Sequence, residues 1–187
     1  GGKMFSTVVA QPYYYLPTAS TAAAQTGNTD TITAFGTGKY TVGVDSASVG
    51  VNSSAADNVV NWVAKLGGTA VSNTDGTITS SVSVNTTLGM SVGTYSGNST
   101  AGATIGHGLG VTPHMVMVKR TNTTGNWFTY HINLDPTAPE DKYLKLNTPT
   151  DTLDGLAFWQ DTAPTSTQFT VGTNSAVNAS SSTYVAY

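Results

Sequence analysis

Apolar and polar residues alternate with a period of two in short runs, punctuated every ten residues or so, roughly, by glycine, proline, asparagine and serine. That pattern predicts many short strands and almost no helix. Met4 to Ala10 reads as a strand stopped by Gln11-Pro12, and Lys39 to Val44 and Val59 to Lys65 read as two more. After the turn signal Asn73-Thr74-Asp75-Gly76, the residues Ile78, Ser80, Val82 and Val84 share one strand face. Thr79, Ser81, Ser83 and Asn85 share the other, so this strand should be packed on one side and wet on the other. Met90 to Tyr95 is a further strand. His114 to Arg120 and Trp127 to Ile132 form a hairpin across Thr121 to Gly125. Pairing positions equidistant from Thr123 sets His131 opposite Met115. Tyr143 to Leu146 and Leu156 to Trp159 complete the set of strands. Ala19 to Gln25 is the one helix-like segment. It is too short to hold alone and reads as a loop or a single turn. The sum predicts an all-β fold, a β-sandwich or jelly-roll-like architecture.

An internal repeat divides the chain. Tyr40-Thr41-Val42-Gly43-Val44-Asp45-Ser46-Ala47 resembles Phe169-Thr170-Val171-Gly172-Thr173-Asn174-Ser175-Ala176. Val51-Asn52-Ser53-Ser54 resembles Val177-Asn178-Ala179-Ser180, and Val60-Asn61-Trp62 resembles Val185-Ala186-Tyr187. Leu16 and Leu146 precede the two copies at nearly equal distances. The expected organisation is a truncated first β module over 1–68, a connector strand over 69–85 and a second, nearly whole β module over 86–187. A chain that starts on Gly1 and stops on Tyr187 within a strand pattern is expected to be part of a longer polypeptide.

Composition narrows the function classes. Only 9% of the 187 residues are charged, and the formal net charge is -3. A nucleic-acid binder needs a clustered basic surface, and Lys119-Arg120 is the single adjacent basic pair, read here as a solvated strand end. So weakly charged a surface favours association, which suggests burial against other subunits. The absence of cysteine excludes disulfides and thiolate chemistry. No apolar run is long enough to span a bilayer as a helix.

Candidate chemistry is sparse. Glu140-Asp141, Asp151 and Asp154 lie among turn residues and read as solvated loop carboxylates. A facing glycosidase pair and a calcium site on Asp151 and Asp154 are the sharper alternatives. His114 and His131 should point to opposite faces of their hairpin and so cannot share a metal. His107, within Gly106-His107-Gly108-Leu109-Gly110, is placed to cap a backbone group in a tight turn. No nucleophile context accompanies any Ser or Thr, and the glycine run lacks the lysine and helix of a phosphate loop. The expectation is no enzyme, no catalytic residues, no cofactor and no metal. Tyr13, Tyr14 and Tyr15 cannot all face one side of a strand, so they and Trp127 are the candidate surface contacts, for sugar or protein.

Tyr95-Ser96-Gly97-Asn98-Ser99-Thr100-Ala101-Gly102, Gly106 to Pro113, Met115 to Lys119 and Asn126-Trp127, followed by Phe169 to Tyr187, resemble a tandem β module of tailed-bacteriophage virion structural proteins, marine and cyanophage-like. The resemblance covers roughly 70–187 well and 1–68 as a degraded copy. Ser99 stands where the family commonly has glycine, and the usual continuation after Tyr187 is absent. The resemblance implies a structural role in tail fibres, head appendages or capsid decoration at the virion surface. It implies homo-oligomerisation and contacts with other virion proteins, with a mechanical and host-attachment role, no nucleic acid and no membrane insertion. A carbohydrate-binding adhesin recognising a host-surface glycan is the alternative, and a polysaccharide depolymerase a more distant one.

Overall fold

A computed structural model of the chain describes residues 3–4, 16–18, 20–25, 31–37, 39–44, 63 and 67–187. In chain order the strands are β1 (Lys3–Met4), β2 (Leu16–Pro17), β3 (Ile32–Gly36), β4 (Lys39–Val42), β5 (Val71–Asn73), β6 (Ser80–Asn85) and β7 (Met90–Ser96). They continue as β8 (Ala103–Gly106), β9 (Met115–Arg120), β10 (Trp127–His131), β11 (Lys142–Lys145), β12 (Leu153–Asp154), β13 (Gln168–Val171) and β14 (Thr183–Ala186). Among the described residues two single-turn α-helices interrupt them, α1 (Leu156–Trp159) and α2 (Ser175–Asn178).

Among the described residues, eight strands form one sheet in the order β12-β11-β10-β9-β14-β7-β6-β5, and every pairing in it is antiparallel. The β8–β13 pair, with α1 and α2, packs across one face as a second, smaller layer, making an all-β sandwich. The expected hairpin forms in the expected register, His131 opposite Met115 and Trp127 opposite Lys119. The polar Thr121–Gly125 link and the period-two pattern on both sides leave little choice of pairing. Ile78, Ser80 and Val82 are buried while Thr79 is exposed, as the alternation predicts, but Ser83 on the face expected to be wet is buried, its hydroxyl donating to the Gly68 carbonyl at 2.7 Å. The 69–85 stretch is integral to this sheet: β5 and β6 are its last two strands, and β6 pairs along its whole length with β7. Most of the residues that carry the repeat in the first copy, 45–62, lie outside the described residues.

The inner face of the sheet is aromatic. Tyr95 stacks on Tyr184 at 5.0 Å, and its hydroxyl donates to the Val177 carbonyl at 2.7 Å. Phe128 stacks on Phe158 at 4.7 Å, and Tyr130 meets the edge of Trp159 at 6.5 Å. Here the strand expected at Leu156 to Trp159 is corrected to a helical turn. A strand would send Phe158 and Trp159 to opposite faces, yet both are buried in this one core while Leu156 is exposed. One helical turn aims the two neighbouring rings inward, and Gln160 closes it in the left-handed region at φ 56°.

The outer face carries a second cluster: Leu16, Val92, Trp127 and Val185, with Ala24 and Tyr187 against it. N-terminal residues therefore cover the sheet of the C-terminal part, and Ala24 donates its N–H to the Thr121 carbonyl.

Asn178, fully buried in α2, fastens the loop after β7. Its Oδ1 accepts from the Asn98 N–H, and its Nδ2 donates to the Thr100 and Gly172 carbonyls, each at 2.9 Å. Ser99 within that loop has φ 59°, in the left-handed region that favours glycine. Its hydroxyl offsets the strain by accepting from the Ser180 N–H at 2.8 Å.

Candidate functional site

The sequence singled out several side chains, and the structure disperses them. Tyr13, Tyr14 and Tyr15 lie outside the described residues. Trp127 is not a surface contact. It is fully buried, and its indole N–H donates to the Pro17 carbonyl at 2.9 Å, because the N-terminal residues cover the face on which it sits. Glu140 and Asp141 lie in a 3-10 turn, and Asp154 pairs with Lys142 at 2.7 Å. Among the described residues no group of three or more histidine and carboxylate side chains could hold a metal ion. Nor is any helix among them long and apolar enough to cross a membrane.

Lys119 also departs from the sequence reading. The solvated strand end expected there is a buried lysine on the outer face, beside Trp127 in the ladder. Its Nζ donates to the Thr21 carbonyl at 3.0 Å and to the Gly125 carbonyl. It thus ties the N-terminal segment to the hairpin link. Burial pushes the ammonium down from 10.5 to about 8. Above pH 8 the folded chain releases a proton that the unfolded chain retains, so stability should rise with pH. We expect the rise between about pH 8 and 10, the window between the folded and unfolded values. Above pH 10 the trend should reverse. Burial raises the hydroxyls of Tyr95, Tyr130 and Tyr184, so the unfolded chain loses its tyrosine protons first. Urea denaturation across this range checks the profile, and Lys119→Met should flatten its rising limb.

What the fold does assemble is an apolar end of the sheet. β14 is antiparallel to both β7 and β9, so those two strands run the same way and begin at the same end. There the turn before β7 exposes Leu88, β7 opens on Met90, the loop before β9 exposes Val111, β9 opens on Met115, and Ile132 follows β10. These five side chains are between 39% and 60% exposed. Behind this rim a trough of about 480 Å³ runs in under the loop 107–114, and Val82, Ile105 and Phe169 lie at its inner side.

The glycine-rich run builds the trough wall. Gly108 has φ +70°, and a Cβ there would meet the Val84 Cγ2 at 2.9 Å. The buried His107 fixes the turn as expected of a capping ring: Nδ1 accepts from the Leu109 N–H at 3.1 Å and Nε2 lies 3.2 Å from the Thr165 carbonyl. This is the neutral tautomer with the proton on Nε2, in keeping with a pKa lowered by burial. The site thus offers apolar surface and backbone, with no paired acid and base. Sequence reasoning did not assemble this surface, although the alternation of Met115, Met117 and Lys119 with Val116 and Val118 carried part of the signal.

The family model described as a domain of unknown function, DUF7483, matches residues 4–187. No curated protein and no solved structure matches the chain.

Proposed function

The chain belongs to the DUF7483 family, and we propose that it is a structural, assembly-forming protein of a bacteriophage virion, part of a surface appendage such as a tail fibre, spike or capsid decoration. The observation that carries the assembly reading is the apolar strand end: Leu88, Met90, Val111, Met115 and Ile132 exposed together on a chain with 9% charged residues. A monomer in water rarely leaves such side chains gathered at one place, because their burial is worth about 25 cal/mol per Å². A neighbouring subunit supplies that burial. The virion context rests on the resemblance of Tyr95 to Lys119 and Phe169 to Tyr187 to phage structural modules. Its role is mechanical and extends to host attachment through the same appendage. Antibody against the purified chain should decorate intact phage particles at a repeated position in electron micrographs. Particles that carry the gene but never bind the antibody, intact or disrupted, would contradict the virion assignment.

A further inference from the structure

The outer face of the sheet changes character across its width. Around Trp127 and Val185 it is apolar and covered by N-terminal residues, while toward β5 it presents hydroxyls to solvent. Two rows of side chains carry them. In the first, Val185 stands opposite Thr94, Thr94 opposite Ser81, and Ser81 opposite Ser72. In the second, Thr183 stands opposite Ser96, and one step past the Ser80–Tyr95 pair the same register brings Thr79 beside Ser96. Thr121 closes this row, its Oγ1 lying 2.7 Å from that of Thr183. Neighbouring strands lie about 4.8 Å apart and alternate residues of one strand about 7 Å apart, so the hydroxyls form a grid. The grid lines a hollow of about 500 Å³ in which, among the described residues, no side chain is charged. Among the same residues the hydroxyls of Ser72, Thr79, Ser81, Thr94 and Ser96 have no protein partner. The nearest cations are engaged elsewhere. Lys119 continues the first row beyond Val185 but is buried and bonded to the Thr21 and Gly125 carbonyls. Arg120 pairs with Tyr184 on the opposite face, and its Nε donates to Asn122 Oδ1 at 3.1 Å.

We infer that this face binds a neutral polysaccharide, laid across β5, β6, β7 and β14 with its hydroxyls on the grid. The inference rests on the host-attachment reading and deepens it by naming the class of ligand. Each free hydroxyl offers one donor and two acceptor positions, and a sugar hydroxyl offers the same in return. An apolar partner would strip water from these groups and give no bond back. An anionic glycan or a nucleic acid meets no cation in the hollow to balance its charge. The row from Ser72 to Thr94 crosses two strand spacings, about 10 Å, so linked sugar units fill it better than a single ring. No aromatic ring serves as a stacking platform, because Tyr95 and Tyr184 stack on each other in the core behind this face. A few hydrogen bonds alone set the dissociation constant of one site at about 1 mM. Repetition of the face along a multimeric appendage raises that by avidity.

The test uses the full chain, labelled for NMR, with oligosaccharides of dextran, starch and mannan as uncharged probes. At about 50 mM probe, well above the expected constant, at least one should shift the amides of Ser81, Thr94 and Ser96 and leave Met90 and Met115 unmoved. An alginate oligosaccharide, which is polyanionic, should shift none of them, and this comparison needs no variant protein. Thr94→Val keeps the side-chain shape without the hydroxyl and should weaken the bound probe about fivefold or more. Thr94→Ser restores the hydroxyl and should bind within about twofold of the parent. Three inert neutral probes, equal binding of alginate, or undiminished binding by Thr94→Val overturns the glycan site. Shifts at the same amides on raising the protein concentration without sugar would give the face to a second copy and likewise overturn it. Binding at the grid by a chain that antibody never finds on particles would keep the glycan site and remove the attachment reading. Particles decorated by antibody, with every neutral probe inert, would do the reverse.

Discussion

Trp127→Ala should destabilise the chain by about 3–5 kcal/mol, the cost of deleting a large buried aromatic. The ring is fully buried among Leu16, Val92 and Val185, lies 6.1 Å from Tyr187, and donates to the Pro17 carbonyl. Truncation opens a cavity and leaves that carbonyl without its donor. The damage should therefore be shared between the sheet and the N-terminal segment resting on it. Hydrogen exchange at Ala24, whose N–H is held by the Thr121 carbonyl, should quicken along with the loss of global stability. Trp127→Phe refills much of the volume and loses chiefly the indole bond, so it should cost about 1–2 kcal/mol. Equilibrium urea denaturation of both variants checks the ordering. A Trp127→Ala chain as stable as its parent would mean that the N-terminal residues do not cover this face.

Asn178→Ala should be nearly as damaging, at about 3–4 kcal/mol, for a polar reason. The side chain is the shared partner of Asn98 N–H, Thr100 C=O and Gly172 C=O; of these the Thr100 carbonyl also accepts from the Ala103 N–H at 3.3 Å, so its removal falls hardest on the other two. Each group left dry costs about 1–3 kcal/mol, with water entry recovering part of it. Asn178→Asp keeps the acceptor for Asn98 and turns two donor contacts into repulsion with carbonyl oxygens, so it should fare no better at neutral pH. The local signature should be loosening of the loop 97–102, read by amide exchange at Asn98 and Ser99. Retention of parent-like exchange there in Asn178→Ala would show that the loop is held by its other bonds, Ser180 N–H to the Ser99 hydroxyl among them.

The parts of the fold that were legible in the sequence are those fixed by near neighbours. The β9–β10 register follows from a short polar link between two alternating strands. The buried face of Ile78, Ser80 and Val82 follows from the pleat. The capping role of His107 follows from the glycines on either side of it. What was hidden depends on residues far along the chain. Trp127 and Lys119 are buried by partners at Pro17 and Thr21, about a hundred positions away, and no local pattern announces that cover. The helical turn at Leu156 to Trp159 was hidden for a related reason: a four-residue apolar run fits a strand or a helix equally well, and the aromatic core decides. The candidate surface was half visible. Met90 and Met115 could be placed at strand starts, but their meeting at one end required the order β9-β14-β7, in which the last strand of the chain separates two earlier ones. Such a crossover is a long-range choice that period-two patterning does not encode.

That surface is also where the account is most exposed to test. Sedimentation velocity over a wide range of concentration, on the parent chain and on Met90→Lys and Met115→Lys, measures its central claim directly. The account predicts concentration-dependent association of the parent chain and a shift toward monomer of about tenfold or more in apparent affinity for each lysine variant. A parent chain that stays monomeric at every concentration, or an association that both lysines leave unchanged, would contradict it.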